Sequence, residues 1–102
     1  MKYRKKSVVI EAIQWYPGII HPGVKEDNTK LLTDFYSPAP GSAMRDLPAY
    51  YVTTIHKQNV YLVPGDWILP EQDGEHFYPC KPDIFEMTYE VVEESGTKID
   101  EG

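Results

Sequence analysis

The chain has 102 residues, 41% of them hydrophobic and 25% charged, a balance that suits one globular domain with a modest core and excludes a disordered polar segment. The single cysteine, Cys80, allows no intramolecular disulfide, and no apolar run of roughly 18 residues is present to form a membrane helix, which together point to the reducing cytoplasm. The net charge of −6 is unevenly placed, +3 over residues 1–24 and −9 over residues 25–102; the basic N-terminal arm could contact phosphates, but its charges are expected to solvate the chain end or pair with the acidic tail, so nucleic acid is not an expected partner.

That arm, Lys2 with Arg4, Lys5 and Lys6, precedes an apolar run broken by Glu11 and Gln14, so no signal peptide is expected. Ser7–Tyr16 is rich in β-branched and aromatic residues and ends at Pro17-Gly18, which predicts a strand with two apolar faces in a central position. Two Pro-Gly turns make 17–23 a loop. In 26–36, Asp27 or Asn28 as a cap and Leu31, Leu32 and Phe35 at helical spacing predict a short amphipathic helix. Three prolines and a glycine then make Ser37–Pro48 an extended connection projecting from the sheet.

Strands are expected from there onward. Tyr50–His56 and Asn59–Val63 flank Lys57-Gln58 as a hairpin, and Val63-Pro64-Gly65-Asp66 turns tightly into Trp67-Ile68-Leu69. Glu75–Pro79 is a further short strand. Asp83, three residues before Glu86, predicts a capped helix running to about Glu90. The fold class expected is α+β: residues 1–92 as one domain with a mainly antiparallel sheet of four or five strands and two short helices, and residues 93–102 as an acidic, flexible tail. The expected core is Val8, Ile10, Ile13, Trp15, Leu31, Phe35, Val52, Ile55, Tyr61, Val63, Trp67, Ile68, Phe77, Ile84 and Phe85.

Three segments, Tyr3-Arg4-Lys5-Lys6-x-Val8-Val9-Ile10-Glu11-Ala12-Ile13-Gln14-Trp15, Pro64-Gly65-Asp66-Trp67-Ile68 and Phe77-Tyr78-Pro79-Cys80-Lys81-Pro82-Asp83-Ile84-Phe85-Glu86-x-Thr88-Tyr89-Glu90, together resemble a family of small phage and prophage proteins without an assigned activity. The chain departs from that pattern at Ser7, where a proline is usual, and in 17–48, which is longer and richer in proline. The resemblance implies a bacterial or viral origin, expression in the bacterial cytoplasm and an accessory role, and it brings no catalytic residues.

Candidate chemistry is sparse. His76 and Cys80 stand at H-x-x-x-C spacing, but one cysteine and scattered histidines fall short of the closely spaced ligand pairs of a structural zinc site, so no metal or cofactor is expected. Asp66 reads as a turn residue that accepts backbone hydrogen bonds. Glu11, the only acid on an apolar strand, calls for a partner such as Lys81 or a backbone amide, with ligand binding as the next reading and acid/base catalysis with Asp66 as the last. The chain has eight tyrosines, too many for so small a core, which points to an interface. Glu11, Tyr36, Arg45, Tyr50 and Tyr51 are therefore the candidate binding residues. The leading expectation is a non-enzymatic module that masks a host protein or sequesters a small nucleotide-like ligand, with a homodimer left open and no membrane partner. The alternatives are a small enzyme using Glu11 and Asp66 or His76 and Cys80, and a virion structural or assembly component.

Overall fold

The computed structural model describes residues 1–3 and 9–92. The expectations placed on the basic residues 4–6, on Ser7 and Val8, and on the acidic tail from 93 to 102 lie outside the described residues.

Six strands form two antiparallel three-stranded sheets. One has the order β1 (Ile13–Gln14), β5 (Trp67–Pro70), β6 (Phe77–Cys80); the other has the order β2 (Lys25–Leu31), β3 (Pro48–Thr53), β4 (Asn59–Tyr61). A single α-helix, α1 (Pro82–Thr88), and 3-10 helices at Leu32–Asp34 and Ala43–Asp46 complete the described elements. The α+β class holds, but the single sheet of four or five strands is replaced by two smaller sheets, and the first α-helix is absent from 26–36.

That helix is replaced by β2 because the segment is polar nearly throughout and has no apolar face to bury as a helix. It pairs instead with β3, Lys25 opposite Tyr51 and Asp27 opposite Ala49. Asp27 does not cap a helix. Its Oδ1 accepts from the Thr29 amide at 3.0 Å and the Thr29 hydroxyl at 2.6 Å, a local turn that coincides with the break in register between Asp27 and Leu31. Its Oδ2 accepts from the Tyr61 hydroxyl of β4 at 2.5 Å. The Thr29 hydroxyl first, then the Tyr61 hydroxyl, hold this carboxyl at about 2. Phe35 stacks on Tyr61 with ring centroids 4.6 Å apart, outside the core it was expected to fill.

Of the expected Ser7–Tyr16 strand, the described residues 9–16 hold only the two-residue β1, which pairs with β5 through Ile13 with Ile68 and Gln14 with Trp67 at a sheet edge. Val9, Glu11 and Ile13 are exposed and Trp15 is fully buried, so the alternation slips after Gln14. The slip has a backbone cause. The Trp15 amide donates to the Asp66 carbonyl at 2.7 Å and the Trp15 carbonyl accepts from the Gly65 amide at 2.8 Å, which binds the end of the strand to the turn and drives the indole inward.

Trp15, Leu32, Val52, Leu62 and Ile68 form the core that joins the two sheets. Leu62 and Leu69, absent from the expected core, are fully buried, whereas Ile13, Leu31, Ile55 and Ile84 are exposed. The 37–48 connection is part of this packing and does not project: Met44 and Leu47 lie against the core, and the Leu32 amide donates to the Leu47 carbonyl at 3.0 Å. Ser42 caps the second 3-10 helix by accepting from the Met44 amide at 3.1 Å. The 17–23 loop is fixed by a close approach, since a Cβ at Gly23 would lie 2.3 Å from the Phe77 ring.

The turn after β4 is built on Asp66. Gly65 takes φ +97°, open to glycine at no steric cost. The buried Asp66 side chain accepts from the Val63 amide at 3.0 Å and from Lys81 Nζ at 2.9 Å. Lys81 thus pairs with Asp66 and not with Glu11. Asp66→Ala removes the acceptor of a buried amide and is expected to lower stability by about 2 kcal/mol in a urea melt, while Lys81→Met, whose ammonium is largely solvated, is expected to cost about 1 kcal/mol. Replacing 38–47 by a short Gly/Ser link is expected to cost about 2–4 kcal/mol through the loss of Met44 and Leu47; a loss below about 0.5 kcal/mol in the same melt would return this segment to the status of a free loop.

Candidate functional site

Helix α1 begins where Lys81 is held. Lys81 is the N-cap and Pro82 occupies the first turn, where its missing N–H removes no helical bond. Asp83 is therefore inside the helix, its carboxylate accepting from the Ile84 amide at 2.9 Å, and not the cap expected from the sequence. The Phe85 amide donates to the Lys81 carbonyl at 2.8 Å, which brings the Phe85 ring one turn later onto Trp67 of β5. The two rings stack at 4.0 Å and 7°, and Phe85 stacks in turn on Tyr89 at 5.0 Å. Aromatic residues four apart on a helix face the same side, so the ladder follows from the spacing.

Beside the ladder a groove of about 560 Å³ runs between α1 and the chain leading into β1. Its apolar lining includes Val9, Trp67, Phe85, Tyr89 and Val92, and its acids are Glu11, Glu86 and Glu90, all exposed. No Lys, Arg or His lines it among the described residues. The Trp67 Nε1 donor is buried and has no acceptor among the described residues, a costly state for an N–H group. At the far end of the ladder the Tyr89 hydroxyl lies 3.4 Å from that of Tyr78, and burial with this contact pushes Tyr78 above the usual tyrosine range.

The five candidate residues do not converge. Glu11 is at the groove. Tyr36 and Tyr50 pack against the core, with the Tyr50 ring 5.4 Å from Trp15, and Tyr51 lies 5.5 Å from Tyr61 on the other sheet. Arg45 is exposed on the second 3-10 helix. Trp67, Phe85 and Tyr89 were not among the candidates, the first two being expected in the core; the Phe85–Tyr89 spacing, followed by Glu90 and exposed Val91 and Val92, carried the signal.

Asp66, His76 and Cys80 of the proposed catalytic pairs make contacts of their own. Asp66 is taken up by Val63 and Lys81 while Glu11 is on the groove rim. His76 Nδ1 contacts Asp73, whose carboxyl is held at about 2 chiefly by the amides of Glu75 and His76. Cys80 Sγ donates weakly to the Lys81 carbonyl at 3.7 Å, and burial raises the thiol above its ordinary value. Among the described residues no three His, Cys, Asp or Glu side chains are grouped to hold a metal ion, and no helix is long and apolar enough to cross a membrane. Because the thiolate is disfavoured, alkylation of Cys80 by iodoacetamide at pH 7.5 is expected to run several-fold slower than that of free cysteine; a rate above that of free cysteine would reopen a nucleophilic role.

No family model, no curated protein and no solved structure matches the chain.

Proposed function

We propose that the protein is a non-enzymatic binding module, an accessory protein of phage or prophage type acting in the bacterial cytoplasm, which masks a surface of a host protein through the face formed by α1 and the approach to β1. The observation that carries this reading is the groove of about 560 Å³ floored by the Trp67–Phe85–Tyr89 ladder. In its lining Val9, Val91 and Val92 are exposed, Val91 at 91%. Contiguous exposed apolar residues rimmed by polar ones mark interaction surfaces, and aromatic anchors in such a surface dominate binding energy.

A small nucleotide-like ligand is the second reading, since the groove falls within the roughly 300–1,000 Å³ of ligand sites and has aromatic rings for stacking. The three carboxylates weigh against any ligand that carries phosphate. The protein-masking reading is therefore preferred.

A photo-cross-linking residue placed at Val92 is expected to give a discrete adduct in bacterial lysate, and the same residue at exposed Lys30 on β2 is expected to give none. Adding Val91→Asp to the Val92 probe is expected to abolish the adduct with a stability change within about 0.5 kcal/mol. Equal labelling from Val92 and Lys30, or an adduct unaffected by Val91→Asp, would refute this assignment.

A further inference from the structure

We propose that the groove takes a basic, extended segment of the partner, one or two arginine or lysine side chains lying along the aromatic ladder with their charged ends on Glu11, Glu86 and Glu90. This rests on the docking reading above and specifies the chemistry of what docks.

Three observations converge. The first is charge. The groove gathers three carboxylates and no cation among the described residues: Glu86 and Glu90 come from residues 25–102, which carry −9, and Glu11 from residues 1–24, which carry +3. Glu86 and Glu90 line the same groove as Glu11, and like charges gathered at one site repel. Glu90 also lies just beyond the C-terminal end of α1, where the helical carbonyls already make the local potential negative. Each of these costs is removed by an incoming cation and increased by an incoming anion.

The second is shape and polarity. Between the carboxylates the lining is hydrocarbon and aromatic, Val9, Trp67, Phe85, Tyr89 and Val92. A small hydrated cation has no use for such a floor. An arginine or lysine does, because its methylene stem packs on apolar surface while the charged head stays at the wet rim. Arginine adds a planar guanidinium that pairs with carboxylates through two parallel hydrogen bonds.

The third is the orphaned indole. Trp67 Nε1 is buried with no acceptor among the described residues, so an acceptor can reach it only where the wall of the groove yields; a peptide brings carbonyl groups along its whole length, whereas an isolated amine or metal ion brings none. The two-residue β1 and the exposed approach from Val9 leave the groove long and open on one side, which suits an extended backbone.

The test is a titration of the full chain, labelled with nitrogen-15, with a blocked peptide alternating arginine and leucine, followed through the two indole resonances. Saturable shifts of the Trp67 indole, with the buried Trp15 indole unmoved, are expected. The variant E11Q/E86Q/E90Q changes only exposed side chains and is expected to weaken binding by roughly tenfold or more, whereas D46N, on the second 3-10 helix, is expected to leave it within about twofold. The same peptide with glutamate for arginine, and adenosine monophosphate, are the competing probes. The proposal is overturned if the glutamate peptide binds as well, if adenosine monophosphate shifts Trp67 at lower concentration than the basic peptide, if the triple variant binds unchanged, or if the chain alone forms a dimer that buries Trp67 and excludes the peptide. If Val92 cross-links a partner while the basic peptide leaves Trp67 unmoved, docking stands and its cationic chemistry falls; if both experiments fail, both readings fall together.

Discussion

The carboxylate of Asp66 is the point on which the rest of this fold is hung. It is buried beside the turn between β4 and β5, where it accepts from the Val63 amide and from Lys81, while its own backbone carbonyl accepts from Trp15. Three distant parts of the chain are thereby brought to one place: the end of β1, the turn, and the start of α1. A buried carboxylate is costly unless hydrogen-bonded and paired, so the arrangement has few alternatives that do not strand a charge in the interior.

From this follows the position of the helix. Lys81 is both the partner of Asp66 and the residue that caps α1, and Pro82 next to it restricts the backbone to helix-compatible φ. The first intrahelical bond then delivers Phe85 to Trp67 with no freedom left for another register. With only seven residues, α1 is too short to cover what lies beyond the ladder, and β1 is too short to shield the chain leading into it. The groove is the consequence of two short elements fixed by the contacts of one buried carboxylate, and its acids lie where none of that fixing employs them.

Segments whose own chemistry dictates their conformation were legible in the sequence. The β3–β4 hairpin is present although its turn lacks glycine, because Lys57 accepts φ +66° while Thr54 bonds the amides of His56 and Gln58. The Asp66 turn, the strand at Phe77–Cys80 and a helix after Lys81 were legible for the same reason. What was not legible depends on partners distant in sequence. Leu31, Leu32 and Phe35 have helical spacing, yet ladder pairing with β3 and the Thr29 contact to Asp27 make the preceding residues a strand. Leu47 looks like a loop residue until Leu32 is found bonded to its carbonyl. Glu11 was singled out as a charge in want of a partner such as Lys81 if its face were core; it is exposed, and the turn has taken Lys81. Trp67 and Phe85 were expected in the core because aromatic content alone cannot distinguish a ring buried on all sides from one that floors a groove.

The same separation governs where chemistry can reside. A catalytic carboxylate, imidazole or thiol must be reachable and must have capacity left for substrate, because transition-state stabilisation comes only from interactions not already spent in the resting protein. Asp66 has its oxygens engaged by Val63 and Lys81, and burial disfavours the Cys80 thiolate. The groups with capacity left are of another kind: exposed carboxylates that no described cation meets at the groove, ring edges and valines facing solvent, and an indole N–H without an acceptor. Such groups bind by charge and contact. That inventory is what the docking proposal rests on, and its members lie together at the groove between α1 and the chain leading into β1.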